Sequence, residues 1–363
     1  MNIRTKILAL LIVLSMFVGS TTACVSEHKQ NNTTPFVTKQ IQMNIEFRPN
    51  VTSLIDITLH ENPKLKHVTK GKVGYALAGF AHTGASYEHL ITQIFSENKD
   101  VSMIIVPEIP GSNMPKGMLY GDLVLNDYVN INKLVLDRLS EGELRHNFKI
   151  DFAVFHSQAG LVAMMLQEQV NLKKYGIKDV ILIAPAPPQE VKWSFASNMN
   201  PYSFLQYLTI DNNGAYFNLP SRDWIGFFFT NPDGSISRRL PSMENVDKYN
   251  TKAPLSATLQ LVGINILSMN PPTLELNNSI RPSVTKGIFR KNSPKLWIID
   301  YGNDTIVSKN DVINTYNYLM DTKENINKVE IMRHRQHSEI IYVPNAVHDA
   351  HLVMNIEEIN RII

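Results

Sequence analysis

The chain of 363 residues contains a single cysteine, Cys24, near its start. Without a second thiol no disulfide can form within the chain, and thiol catalysis or a cysteine-based zinc site in the body is excluded. An excess of charge of one sign is also lacking, with 35 Lys and Arg against 33 Asp and Glu. No basic stripe of the kind that neutralises phosphates is present, so nucleic acid is not an expected partner. Neither a collagen-like nor a disordered composition fits, and no internal repeat or low-complexity tract is visible.

With 44% hydrophobic and 19% charged residues, the chain reads as globular, either one large domain with an insertion or two modest ones. Residues 1–23 read as an export signal. Arg4 and Lys6 make a positive start, Ile7 to Val18 an apolar run too short to span a membrane, and Ser20-Thr21-Thr22-Ala23 a small-residue cleavage region. Without Arg4 and Lys6 the remaining chain is close to neutral. The segment ending in Cys24 resembles the lipobox of bacterial lipoproteins, in which the cysteine is acylated and anchors the protein to a membrane. Thr21 stands where that family prefers Leu. The polar stretch 24–39, rich in Asn, Thr, Gln and Ser, would serve as a tether. The expected location is therefore the cell envelope, or the periplasm or medium if Cys24 is not lipidated.

From Gln40 the pattern becomes that of a folded body. Apolar alternation in Ile41 to Phe47 and Leu54 to Leu59 predicts two strands, an antiparallel opening pair. Six short, nearly continuous apolar runs follow: Val73–Ala78, Met103–Val106, Phe152–Phe155, Val180–Ala184, Leu296–Ile299 and Ile340–Val343. Runs of this kind suit parallel strands buried on both faces, and the helical segments between most of them predict a doubly wound α/β sheet. Its functional groups would collect at the carboxyl ends of the strands. Residues 187–291 lack this alternation and are crowded with aromatics, among them Trp193, Phe195, Tyr202, Phe204, Tyr207, Tyr216, Phe217, Trp224 and Phe227 to Phe229. This stretch reads as a helical cap over the site that lines an apolar pocket. It divides the core into residues 40–186 and 292–363.

Ser157 lies in Phe155-His156-Ser157-Gln158-Ala159-Gly160, directly between an apolar strand and the helical run Leu161 to Leu166. A strand, tight turn and helix with serine at the apex is what a nucleophile elbow requires, because the turn lifts the hydroxyl above the sheet. Ala159 and Gly160 supply small residues on the helix side, while Phe155 stands where the G-x-S-x-G pattern has glycine. Four further segments accompany the elbow: Ala78-Gly79-Phe80-Ala81-His82-Thr83-Gly84, Pro107-Glu108-Ile109-Pro110-Gly111, Asp300-Tyr301-Gly302-Asn303-Asp304, and Val347-His348-Asp349-Ala350-His351.

In this order the segments resemble those of the α/β-hydrolase fold family, serine esterases and lipases in particular, over nearly everything after the tether. Ala78, Glu108 and Val347 replace the His, Asp and Gly usual in that family. The resemblance implies Ser157 as nucleophile, His348 as general base and Asp304 as the acid that orients it, the Ser, acid, His order of this fold. It also implies the backbone N–H groups of Phe80 and Gln158 as oxyanion donors. His351 is the rival base and Asp300 the rival acid, and His156 reads as a packing residue. His334 and His337 lack nearby carboxylate partners in the spacing of known metal sites, so neither metal nor cofactor is expected. The implied activity is hydrolysis of a small or lipid-like carboxylic ester through an acyl-enzyme. A noncatalytic ligand-binding protein that keeps the fold, or an acyltransferase or thioesterase using the same residues, are the alternatives.

Overall fold

The computed structural model describes residues 36–65, 71–80, 82–108, 119, 122–142, 149–194, 206–241, 252–263, 281–322 and 338–363. The expected export signal, Cys24, the start of the tether, His334 and His337 lie outside the described residues. No helix among the described residues is long and apolar enough to cross a membrane.

The opening pair forms, but its first strand begins at Val37 and Phe36 is buried, so the folded body starts inside the stretch 24–39 expected to be a tether. Strands β1 (Val37–Arg48) and β2 (Val51–Glu61) pair antiparallel, with Arg48 opposite Val51 across a turn in which Asn50 takes φ 63°. Pro49 and Asn50 suit that turn, since proline presets φ at its first central position and asparagine tolerates positive φ at its second. The apolar runs become β3 (Lys72–Leu77), β4 (Val101–Pro107), β5 (Phe152–His156) and β6 (Asp179–Ile183). Every residue of β4 and β5 is buried, which explains why the runs Met103 to Val106 and Phe152 to Phe155 are continuously apolar rather than alternating.

Helices α1 (Glu88–Glu97), α2 (Leu125–Glu141) and α3 (Gln158–Val170) fall between or after these strands. Helix α3 is buried continuously from Gln158 through Gln167. A helix with so little exposed face belongs to the centre of a layered domain.

The stretch expected to be a helical cap contains strand as well. Strands β7 (Leu208–Asp211), β8 (Gly214–Phe217) and β9 (Ala253–Pro254) form a small antiparallel sheet, accompanied by helices α4 (Ser221–Phe228) and α5 (Leu255–Val262). The hairpin follows from Asp211-Asn212-Asn213-Gly214. Asp211 and Gly214 pair across a two-residue loop, Gly214 adopts φ 104°, and the Asp211 carboxylate accepts the Asn213 N–H at 2.7 Å and the Tyr216 hydroxyl at 2.7 Å. Turn chemistry of this type joins antiparallel strands tightly.

Strand β10 (Lys295–Tyr301), helix α6 (Lys309–Met320), strand β11 (Ser338–Val343) and helix α7 (Glu357–Ile362) complete the chain. Among the described residues the main sheet has eight strands in the order β1-β2-β4-β3-β5-β6-β10-β11. In this order neighbouring strands are parallel from β4 to β11, and β1 and β2 introduce the antiparallel pairs. The chain runs from β3 outward to β4, then crosses back to lay β5 on the other side of β3. At that reversal the loops after β3 and β5 diverge and leave a crevice at the carboxyl ends of the strands. Phe80 and Ser157 lie on those two loops.

Candidate active site

Ser157 is the single residue between β5 and α3, with φ 51° and ψ −115°. A non-glycine residue in this region is strained by about 1–3 kcal/mol and persists only where its surroundings over-determine it. Three backbone hydrogen bonds do so: the Ser157 N–H donates to Ile183 at 2.9 Å, and its carbonyl accepts from Gly160 at 2.9 Å and Ala186 at 3.0 Å. Gly160 is required by close approach, because a Cβ there would lie 2.6 Å from the Cβ of Pro185. The bulk of Phe155 is absorbed elsewhere. Its ring is fully buried 6.2 Å from that of Tyr75, whose hydroxyl bonds Asn132 of α2.

Two loops from the far side of the sheet converge on the serine. After β10, the Asp304 carboxylate accepts the Ile306 and Val307 N–H groups on Oδ1, at 2.7 and 2.9 Å. Its Oδ2 stands 2.7 Å from Nδ1 of His348, on the loop after β11, and Nε2 of His348 stands 2.9 Å from Ser157 Oγ. A carboxylate only accepts, so Nδ1 carries the imidazole proton and Nε2 is left to accept the Ser157 hydroxyl. The His348 and Asp304 side chains are sealed from solvent. Burial pulls the His348 pKa down, but the Asp304 charge and hydrogen bond, with a contribution from Asp349, raise it above its ordinary value.

The rivals stand apart from this line. Neither ring nitrogen of His351 has a hydrogen-bond partner, and burial pulls its pKa down to about 3, so it is a neutral core residue. Asp300 leaves Oδ1 unpartnered and is pushed up to about 7, chiefly by burial. His156 packs 4.8 Å from the His348 ring, and its Nε2 lies 3.2 Å from the His348 carbonyl oxygen.

Phe80 and Ser157 line one apolar pocket. Gln158 opens α3, so its N–H is among the four at a helix N-terminus that have no acceptor within the helix. The remaining walls come largely from the aromatic stretch: Trp193, Tyr207, Phe217, Phe227 and Phe228, with Leu261 of α5. Trp193 is pinned by donation of its indole N–H to the Ile306 carbonyl at 2.8 Å, and the Phe228 ring stacks on His348 at 5.6 Å. Trp224 and Phe229 pack on each other behind this wall and are fully buried, a core role. Phe195, Tyr202 and Phe204 lie outside the described residues.

Glu108 shows how a departure from the familiar motif is accommodated. Both of its carboxylate oxygens accept the Gly84 N–H, at 2.9 and 3.0 Å, and so tie the loop after β4 to the one after β3. His82 and Asp349 had no distinguishing sequence signal, yet both are buried and bonded to each other at 3.0 Å. Ligating atoms of His156, His348 and Asp349 lie within 4.8 Å of one another. Both nitrogens of His348 are already committed to Ser157 and Asp304, so this cluster is a hydrogen-bonded group and not a ready metal site.

No family model and no curated protein matches the chain. Solved structures do. A carboxylesterase of the thaumarchaeon Nitrososphaera gargenis aligns with TM-score 0.56 and 12% identity, covering 89% of this chain and 96% of the other. A peroxisomal alpha-beta-hydrolase of Saccharomyces cerevisiae aligns with TM-score 0.54 and 11% identity over 90% and 88%. The chain has the α/β-hydrolase fold. A bacterial membrane phospholipase A, with TM-score 0.51 and 11% identity over 99% and 89%, shares the fold with it.

Proposed function

We propose that this α/β-hydrolase-fold protein is a serine hydrolase that cleaves a carboxylic ester with an apolar acyl group through an acyl-enzyme on Ser157. The observation that carries the reading is the unbroken line from Asp304 through His348 to the strained Ser157, at 2.7 and 2.9 Å.

A free serine hydroxyl is a poor nucleophile near neutral pH. Here Nε2 of His348 would take the Ser157 proton as Oγ attacks the ester carbonyl, and Asp304 would hold the tautomer and stabilise the imidazolium. The oxyanion would be met by the N–H groups of Phe80 and Gln158. The imidazolium would then give its proton to the departing alkoxide, and water activated by the same His348 would release the acid and restore Ser157. The aromatic walls support an apolar acyl group, since they can bury it but supply few polar partners. A carboxylesterase and a phospholipase among the structures that share the fold lend the same direction.

Turnover of p-nitrophenyl esters of increasing acyl length tests the reading, with Ser157→Ala as the control. Hydrolysis that disappears in the variant supports it. Ligand binding without turnover, unaffected by Ser157→Ala, would favour a noncatalytic protein, and product formed only with an added alcohol or thiol acceptor would favour acyl transfer. We further propose that the chain is exported and lipidated at Cys24. The support is the sequence of residues 1–24, and the test is palmitate labelling, expected to disappear in Cys24→Ser.

A further inference from the structure

We propose that His82 and Asp349 form a buried clamp that ties the backbone of Phe80 to the loop carrying His348, and that the clamp holds the oxyanion side of the site in register with Ser157. The inference rests on the hydrolase reading above.

His82 follows Phe80 by two residues on the loop after β3, and Asp349 follows His348 directly. Nδ1 of His82 lies 2.6 Å from the Phe80 carbonyl oxygen, and Nε2 lies 3.0 Å from Oδ2 of Asp349. Both side chains are at most 1% exposed. A peptide carbonyl can only accept, and so can an ionised carboxylate. Burial opposes ionisation of Asp349, but the neighbouring His82, with smaller contributions from His348 and His351, outweighs it and holds the carboxyl below its ordinary value. With Asp349 ionised, Nε2–H of His82 donates to it, and Nδ1 faces the Phe80 carbonyl. The pair joins the loop after β3 to the loop after β11.

Stability alone is a weak reason for such a pair. Replacing both partners of a buried polar pair by apolar residues of similar volume is often neutral or stabilising, because their desolvation is avoided. What this pair does uniquely is geometric. It holds the carbonyl of Phe80, the residue whose N–H is the proposed oxyanion donor, on one side of the crevice and the residue beside the general base on the other. Oδ1 of Asp349 also lies 3.5 Å from Nε2 of His156, which in turn contacts the His348 carbonyl. The His82 ring packs 5.5 Å from Trp224 and 5.9 Å from Phe228, so the aromatic wall closes over the clamp. A donor to the oxyanion must sit about 2.7–3.1 Å from where the charge develops, and a misplacement of about 1 Å can reduce rate about 10²-fold. His82 and Asp349 are thus positioning residues, acting through Phe80 and His348 without touching substrate.

The test measures kcat, KM and trifluoromethyl-ketone inhibition for His82→Gln, the near-isosteric Asp349→Asn and the double variant, with active sites counted by fluorophosphonate labelling. A trifluoromethyl ketone adds Ser157 to form an oxyanion and so reports the oxyanion site directly. The proposal expects kcat per labelled site to fall about 10- to 100-fold with KM within about twofold, inhibitor affinity to fall in parallel, and the double variant to be no worse than the poorer single one. Values of kcat per labelled site within twofold of wild type in Asp349→Asn and His82→Gln would overturn it. So would losses that appear only as fewer labelled sites, which would make the pair purely structural. Absence of labelling in the folded wild type would overturn the hydrolase reading and the clamp together, an outcome distinguishable from the other two.

Discussion

The carboxylate of Asp304 stands 2.7 Å from Nδ1 of His348, and its second oxygen is fixed by two backbone N–H groups, so the imidazole has one tautomer and one orientation available. The proposed base works only when neutral. Because Asp304 and Asp349 outweigh burial and raise the His348 pKa above its ordinary value, kcat/KM should fall as pH drops through that raised value. In Asp304→Asn the charge is lost and burial dominates, so the acid limb should move to lower pH while kcat drops about 10⁴-fold, the loss this substitution causes in a Ser-His-Asp triad. A pH–rate profile of both proteins checks this. An unmoved limb would remove Asp304 from the role.

Gly160 offers a test of the elbow independent of chemistry. Alanine in a helix is favoured over glycine by about 1 kcal/mol. Its Cβ would nonetheless meet Pro185 at 2.6 Å from the ring Cβ and 3.0 Å from Cα, a rigid obstacle on the segment that also bonds the Ser157 carbonyl. Overpacking of this kind costs about 1–3 kcal/mol, so Gly160→Ala should lower the urea midpoint and slow labelling of Ser157. A variant as stable and as reactive as wild type would show that the elbow has slack.

The pocket predicts selectivity. Leu261 is buried and shares the wall with Phe80 and Phe228. Leu261→Trp should reduce kcat/KM for long or branched acyl esters at least about tenfold while acetyl esters change little, since small differences of fit in an apolar pocket are worth about 10- to 200-fold. Equal losses for all acyl lengths would place the acyl chain elsewhere.

His60 supplies a linkage prediction away from the site. Its ring packs edge-on to Phe36 at 4.9 Å, its Nε2 is unpartnered, and burial lowers its pKa to about 4. The unfolded chain binds the proton near pH 6.5 and the folded one does not, so stability is lost as pH falls from about 6.5 toward 4. At pH 5 the loss amounts to about 2 kcal/mol. His60→Phe should therefore lose about 2 kcal/mol less than wild type between pH 7.5 and 5 in urea unfolding. Parallel losses would mean that His60 is protonated in the fold.

The parts of the fold legible in the sequence are those with local causes. Phe152 to Phe155 is apolar throughout because β5 is buried on both faces, and the elbow is legible because strand, apex serine and small helix residues are contiguous. The opening hairpin announced itself by alternation. The β7–β8 hairpin was not legible, because its strands are four residues each and alternate poorly, although Asn213-Gly214 carries the turn. The placement of β3 between β4 and β5 is also hidden, since crossover direction leaves no residue pattern. The bond between His82 and Asp349 joins positions 267 apart, each unremarkable in its own segment.

The account stands most directly on whether Ser157 is activated. Fluorophosphonate labelling of the purified protein reports this without knowledge of the substrate, compared with Ser157→Ala and His348→Ala. The account predicts one labelled site in wild type, mapped by mass spectrometry to Ser157, and none in either variant. A folded wild type that resists the probe, or labelling that persists in His348→Ala at the wild-type rate, would contradict it.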